Sequence, residues 1–172
     1  MSHSNPPHRT LKVALIGLVA ALTLVDAALL VAAPTTTSRA ELLRLLLAIG
    51  AFGVPFLGFL LGFAERPLYA VGGALSIPFV ALYAYTGLLL PWTQLSFFLG
   101  QFGLELLLSV PVLGDPLATA LFGGFTLGQA TLQAAFRYHY AIVVIAFVGV
   151  ATAAGTVGLR RLVSVRSGDS PE

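Results

Sequence analysis

Four long apolar segments dominate the chain, and short polar breaks separate them. A helix needs roughly 20 apolar residues to cross the hydrocarbon core of a membrane. The segments that are long enough cover about 12–33, 41–64, 68–90 and 138–159. Pro55 lies inside the second segment and Pro78 inside the third, and we expect Pro55 to kink its helix. The pattern predicts an all-α integral membrane protein, a bundle of four transmembrane helices.

The segment between the third and fourth spans, 92–137, is too long for a turn and too often interrupted for a fifth span. Pro111, Gly114 and Pro116 divide it into two apolar pieces. Helices that are apolar on one face can lie in the plane of the membrane surface. We therefore predict two short interfacial helices within 92–137.

Composition supports a membrane protein, because 58% of the residues are hydrophobic and only 9% are charged. Soluble domains carry about 25% charged residues. The net charge of +2 gives no support for nucleic-acid binding, and the absence of cysteine excludes disulfides and iron–sulfur ligation by this chain. We predict a polar tail over 1–11, the bundle over 12–160 and a disordered tail over 161–172, with the first apolar segment retained as an anchor.

The basic residues predict the orientation of the four spans. Six fall on the side of the two termini: Arg9, Lys12, Arg66, Arg160, Arg161 and Arg166. Three fall on the other side: Arg39, Arg44 and Arg137. Because lysine and arginine are more frequent in cytoplasmic loops, we expect a multi-pass protein of the cell (plasma) membrane with both termini in the cytoplasm.

Short motifs follow one another through residues 91–140. They are Pro-Trp-Thr-Gln at 91–94, Ser-Phe at 96–97, Val-Pro at 110–111 with Gly114, Gly-Gly-Phe at 123–125, Ala-Thr-Leu at 130–132, and Phe136 with His139. In order and spacing they resemble, without a gap, the region between the third and fourth helices of cytochrome b, the quinol-oxidising subunit of bc-type complexes. Thr93 stands where that family has glycine. The resemblance implies a divergent N-terminal, haem-binding half of cytochrome b.

The resemblance also implies a haem site that is largely lost. The family holds two b haems between histidines of its second and fourth helices, with the two ligands on each helix fourteen residues apart. Here His139 matches the ligand of the outer haem, but Ala153 stands fourteen residues later, and the second span has no histidine or other haem ligand. The chain can therefore hold at most one haem b, with His139 as the ligand of its iron, or none.

Further site candidates come from the same comparison. Gly87 and Gly73 match glycines of the family's third helix that lie against a porphyrin edge, although ordinary helix packing also uses glycine. Candidates for part of a quinone pocket are Pro91, Trp92, Gln94 and Glu105.

Three ionisable residues leave alternatives open. Asp26 lies deep in the first span, where a carboxylate is costly; it could belong to a proton path, pair with an outer arginine or face a partner subunit. Glu105 could accept a proton from a quinol or lie on a solvated helix face. His139 could ligate haem or sit at the boundary with water and lipid headgroups.

Two functions follow from this reading. The first is a membrane subunit of a respiratory-type, quinol-oxidising electron-transfer complex, with one haem or none. The second is a non-redox scaffold or assembly subunit derived from the cytochrome b fold; a small-solute transporter has only Asp26 in its favour. In neither case is the chain a self-sufficient enzyme, and we expect other membrane subunits as partners, including a C-terminal cytochrome b-like chain and a Rieske-type protein, with quinone and the lipid bilayer.

Overall fold

The computed structural model describes residues 7–32 and 37–167, with side chains over 10–31 and 39–156. All regular structure in these ranges is helical. In chain order the helices are α1 (Pro7–Ala32), α2 (Thr37–Ala51), α3 (Gly53–Ala64), α4 (Pro67–Leu89), α5 (Gln94–Leu108), α6 (Gly114–Phe122) and α7 (Gln129–Ser167).

Four helical segments are long and apolar enough to cross a membrane, which confirms the four-span prediction. They are Thr10–Val31, Arg39–Ala64, Pro67–Leu89 and Gln129–Thr156. The second joins α2 and α3 across a break at Phe52. Pro55 has no N–H to donate to the carbonyl of Ala51, so the helical ladder is interrupted one turn before the proline. Pro78 lies inside α4 without ending it.

The ends of two helices differ from the predicted boundaries. α7 begins at Gln129, although the hydropathy pattern places the start of the span at 138. Residues 129–137 are polar enough to escape a hydropathy search, but they contain no glycine or proline and are rich in good helix formers. α7 then continues to Ser167, into the tail predicted from 161, and α1 begins at Pro7, within the predicted tail over 1–11. Residues 1–6 and 168–172 lie outside the described residues.

Helices α3 and α4 cross with their backbones in direct contact. A Cβ atom added to Gly58 would lie 2.8 Å from the Cα of Gly73, and one added to Gly73 would lie 3.0 Å from the carbonyl oxygen of Pro55. Gly62, one turn after Gly58, faces Ala70 in the same way. Small residues at this spacing allow membrane helices to approach closely. Gly73 therefore serves the packing of α3 on α4.

Helices α5 and α6 are the two short helices predicted between the third and fourth spans. Thr93 caps α5 by accepting a hydrogen bond from the N–H of Ser96, and the Ser96 hydroxyl donates to the carbonyl of Leu88 at the end of α4. Gly123 ends α6 with φ +75°, and Gly124 follows with φ +151°. Both values lie in the left-handed region that favours glycine, which explains the Gly-Gly pair before α7.

The outer faces of the bundle are apolar, as a lipid environment requires. Large exposed side chains include Phe56, Phe63, Phe79, Phe98, Phe102 and Val144. A few polar side chains are instead buried in the interior, where Asp26 is fully buried and His139 is 1% exposed. The candidate functional residues therefore lie in the interior of the bundle.

Candidate functional site

Four polar side chains from four different helices meet inside the bundle: Asp26 from α1, Arg44 from α2, Tyr83 from α4 and His139 from α7. We call this set the polar cluster. Asp26 and Tyr83 each lie six residues before the end of their helix, and Arg44 lies seven residues after the start of α2. At 1.5 Å per residue, all three therefore reach the same level, about 10 Å from one end of the bundle.

Asp26 is the centre of the polar cluster. The Tyr83 hydroxyl donates a short hydrogen bond to its Oδ2. Its Oδ1 lies 3.2 Å from Nε2 of His139 and 3.7 Å from Nη1 of Arg44. Burying a carboxylate is costly unless it is paired and hydrogen-bonded, and three donors from three other helices here surround this one.

The second ring nitrogen of His139 also lies against polar groups. Nδ1 lies 3.1 Å from the backbone carbonyl of Tyr83 and 3.4 Å from the Thr86 hydroxyl, which itself donates to the carbonyl of Leu82. The carbonyl of Tyr83 and the carboxylate of Asp26 both accept, so each ring nitrogen of His139 faces an acceptor. The imidazole is therefore engaged by the bundle at both of its nitrogens.

Packing and a second polar contact complete the polar cluster. The His139 ring stacks on the Tyr83 ring, with 4.7 Å between centroids and 18° between planes. Arg44 Nη2 donates to the Tyr140 hydroxyl at 3.4 Å. Arg44 Nη1 is buried and, within the described part of the chain, makes only its ionic contact with Asp26. The cluster contains two basic groups around a single carboxylate.

Gly87 lies directly against the His139 ring. A Cβ atom added to Gly87 would stand 2.9 Å from Cε1 of His139. The structure therefore brings together Gly87 and His139, two of the candidates for the haem site, but the imidazole itself fills the space beside the glycine. Gly73 is placed elsewhere, on the backbone of α3.

The side chains around His139 do not fit a haem in this arrangement. An axial ligand must turn one ring nitrogen towards the iron, and both nitrogens of His139 face other groups. The space enclosed among Asp26, Arg44, Ala48 and His139 does not admit even a water-sized sphere. Among the residues that the structure describes, no group of three or more histidine, aspartate or glutamate side chains could hold a metal ion. The haem-ligand interpretation of His139 stays a prediction that this geometry does not support.

The quinone-pocket candidates fall into two places. Pro91, Trp92 and Gln94 form the turn from α4 into α5, where Trp92 has φ +51°. Glu105 lies eleven residues after Gln94 on α5, about 16 Å along the helix axis. It is at the rim of a cavity of about 380 Å³ lined also by Phe97, Gln101, Leu104, Leu108, Phe125, Thr126 and Leu127. The structure does not join the two groups into one pocket.

The sequence left open a pair between Asp26 and an outer arginine, and the structure places Asp26 beside Arg44. Arg44 itself was expected only as a charge on the outer side, yet its side chain is 11% exposed. Tyr83 carried no chemical signal in the sequence. The sequence does contain a signal for the pair, namely the depth of each residue in the membrane. Asp26 lies shortly before the end of the first span and Arg44 shortly after the start of the next, so in a helical hairpin the two residues lie at the same level. The opposite charges then predict a pair.

Comparison with known proteins agrees with the resemblance of residues 91–140 and extends it. The sequence model of the cytochrome b/b6/petB family matches residues 10–155. Cytochrome b of Marchantia polymorpha is 35% identical over 108 residues, 58% of this chain and 27% of that protein. Cytochrome b of Cyanidium caldarium is 36% identical over 92 residues, 51% of this chain and 24% of that protein. Cytochrome b of Solanum tuberosum is 42% identical over 57 residues, 33% of this chain and 14% of that protein.

The chain thus spans about a quarter of the length of these relatives, or less. No solved structure matches it. The family match nevertheless covers both short helices and nearly the full length of all four spans. The chain belongs to the cytochrome b family.

Proposed function

We propose that this chain is the membrane-embedded, cytochrome b-like subunit of a quinol-oxidising, bc-type electron-transfer complex. The observation that carries the proposal is the family match over 10–155, which includes every span and the α5–α6 segment. The matched part of the chain corresponds to 27% of the length of one relative, and we propose that other subunits of the complex supply redox groups that this part does not hold. A C-terminal cytochrome b-like chain and a Rieske-type protein are the partners we propose.

The cavity beside α5 supports a role in quinone binding. Its volume of about 380 Å³ lies within the range of about 300–1,000 Å³ that small-molecule pockets occupy. Its wall is apolar and aromatic, with Phe97 and Phe125, and its polar groups are Gln101 and Glu105. Gln101 donates to Glu105 at 3.0 Å. Quinol oxidation releases protons, and an exposed carboxylate at the rim of an apolar pocket can accept one.

Purification from native membranes tests the proposal. The tagged chain, extracted in mild detergent, should carry with it a C-terminal cytochrome b-like chain and an iron–sulfur protein, both identified by mass spectrometry. The assembled complex should oxidise quinol, whereas the isolated chain should not. Recovery of partners that hold no redox group would contradict the electron-transfer function.

Substitution of Glu105 then tests the pocket. Glu105→Gln should lower quinol oxidation by the assembled complex about a hundredfold, because the proton acceptor is lost. Asp115→Asn is the matched control, since Asp115 is another exposed acid of the same segment and does not line the cavity. Gln94→Ala tests the alternative site at the turn. A loss of activity with Gln94→Ala but not with Glu105→Gln would move the pocket to the turn.

A second function, a non-redox scaffold that assembles other subunits, is favoured by the polar cluster. With His139 held by Asp26 and Tyr83, the bundle is joined without a cofactor, and a bundle of this kind can hold partners without passing electrons. The redox content of the purified complex separates the two functions. A complex whose visible spectrum does not change on addition of dithionite is a scaffold assembly, whereas a reducible one that oxidises quinol is an electron-transfer complex.

A further inference from the structure

We propose that Asp26, Arg44, Tyr83 and His139 form a closed polar lock that stands where the family holds its outer haem, and that this lock replaces the haem as the tie between the four spans. The inference rests on membership of the cytochrome b family and on the contacts of these side chains. It does not depend on the quinol-oxidising function.

The first step is that the lock engages both ring nitrogens of His139, the residue that matches the family's haem ligand. The Nε2 atom of His139 lies 3.2 Å from Oδ1 of Asp26, and Nδ1 lies 3.1 Å from the carbonyl oxygen of Tyr83. Turning the imidazole so that either nitrogen could reach another ligand would break its contact with Asp26 or with the Tyr83 carbonyl. The Cα atom of Gly87 closes one face of the site, because a single added carbon there would already be 2.9 Å from the ring.

The second step is that the lock links the second and fourth spans, between which the family holds its haem, and joins the other two spans to them. Asp26 connects α1 to α7 through His139, to α4 through the Tyr83 hydroxyl and to α2 through Arg44. Arg44 adds a link from α2 to α7 through Tyr140. A bundle that has lost a cofactor loses the contacts that the cofactor made. Here side chains from all four spans supply contacts at that level.

The third step concerns the charges. Besides Asp26 and His139, the charged or titratable groups that contact the pair are Arg44, Tyr83 and Tyr140, whose ring lies edge-on to the His139 ring at 5.2 Å between centroids. Asp26 is the only acid among them, so within the described part of the chain it is the one counter-charge of Arg44. An asparagine at 26 could still donate an N–H to Nε2 and accept from Tyr83, whereas a leucine could do neither.

Haem content tests the exclusion of haem. The full chain, expressed with an ample haem supply both alone and with its partners, is compared with His139→Leu and His139→Gln by the pyridine haemochrome assay. We expect no haem that depends on His139, so that all three proteins carry the same amount, whether none or a partner's. One haem per chain that disappears in either variant would overturn the proposal.

Stability tests the tie between the helices. Removing one partner of a buried ion pair leaves the other charge uncompensated. Asp26→Leu should therefore lower the ratio of folded to unfolded chain, measured by unfolding in mixed micelles, by about a hundredfold or more. Asp26→Asn should recover only part of this loss, because the amide can keep hydrogen bonds to Tyr83 and His139 but leaves Arg44 without its counter-charge. Thr23→Val is the matched control, because Thr23 is buried one turn earlier on α1 and its hydroxyl donates only to backbone carbonyls of its own helix.

A double substitution keeps the test decisive if the single variants are hard to isolate. In Asp26→Leu/His139→Leu both ends of the Asp26–His139 contact are gone, so the loss should be smaller than the product of the two single losses. Additive losses, or an Asp26→Asn variant as unstable as Asp26→Leu, would overturn the lock. Failure to recover redox partners with the wild-type chain would instead count against the quinol-oxidising function and leave these results unchanged.

Discussion

Gly87 shows how tightly the polar cluster is packed. Its Cα atom lies so close to the imidazole of His139 that an added Cβ would stand 2.9 Å from Cε1 and 3.3 Å from Nδ1. The ring is held from its other sides by Tyr83 and Asp26. A buried ring with partners on every side cannot move away from a new atom without giving up a hydrogen bond. The glycine is therefore required by its neighbour in space.

Gly87→Ala should destabilise the folded chain by about 1–3 kcal/mol, the usual cost of overpacking a buried site. Gly72→Ala is the control in the same helix, because a Cβ atom there meets nothing within 4 Å. Alanine is the better helix former, so Gly72→Ala should leave stability unchanged or raise it slightly. Unfolding in mixed micelles measures both. Equal behaviour of the two variants would mean that His139 does not occupy the space beside Gly87.

At the residue scale, the sequence could predict depth but not direction. The position of Asp26 in the first span and of His139 near the start of the fourth follows from hydropathy and from the family motif. Whether their side chains meet depends on the rotation of two helices whose contacting residues are 113 positions apart. When a helix is apolar all round, hydropathy does not show which face turns inward. The contact between Asp26 and His139 therefore appears only in the structure.

At the element scale, the start of α5 shows how the chain accommodates a departure from its family. Thr93 stands where the family has glycine, and its backbone is extended with φ −86°, a conformation open to any residue. The left-handed conformation falls on Trp92 instead. The Thr93 hydroxyl accepts from the N–H of Ser96 and donates to Glu41 at 3.1 Å. The substitution thus adds a cap and a link to α2.

Thr93→Val should lower the stability of the folded chain by about 1 kcal/mol, because valine keeps the shape but cannot cap a helix. The bond to Glu41 is lost at the same time. Thr152→Val is the control, since the exposed Thr152 hydroxyl donates only to the carbonyl of Val148 one turn earlier. Proteolysis at the α4–α5 turn should become faster in Thr93→Val alone. Unchanged stability and an unchanged rate of proteolysis in Thr93→Val would mean that the Thr93 side chain does not stabilise the start of α5.

The elements themselves were largely predictable, for an identifiable reason. A membrane span must satisfy its backbone hydrogen bonds internally, so twenty apolar residues leave little choice but a helix. The proline and glycine residues between α5 and α6 marked the break just as directly. The kink expected at Pro55 is the break at Phe52. The start of α7 at Gln129 was not predicted, because helix propensity determines it and hydropathy does not.

At the scale of the whole molecule, the chain directions place both ends of the bundle relative to the polar cluster. Asp26 and Tyr83 lie near the ends of α1 and α4, and Arg44 lies near the start of α2. The short helices α5 and α6 leave from this same end. At the opposite end Lys12 of α1 forms a 2.6 Å ion pair with Glu65. The polar cluster therefore belongs to the end of the bundle that carries α5 and α6.

This placement strengthens the proposed orientation in the cell membrane. Arg44 is taken up by Asp26 inside the bundle, so it is no longer a loop charge, and the basic residues expected on the outer side fall to Arg39 and Arg137. Six basic residues remain on the side of the termini. Because translocating lysine and arginine is unfavourable, we propose that both termini are cytoplasmic and that α5, α6 and the polar cluster lie towards the outer face.

Single cysteines test this topology, and the chain suits the experiment because it has none of its own. Cysteines are placed at Ser4 and Ser170 for the termini and at Asp115 for α6. Ser96 would be a poor choice, because it is 1% exposed and its hydroxyl bonds the end of α4, whereas Asp115 is exposed.

A membrane-impermeant maleimide added to intact cells or spheroplasts should modify position 115 only. Positions 4 and 170 should react after the membrane is opened, since an unmodified cysteine in sealed cells proves nothing until it is shown to be reactive. Modification of position 4 or 170 from outside would mean that the bundle has the opposite orientation. The polar cluster and the cavity beside Glu105 would then lie on the cytoplasmic side.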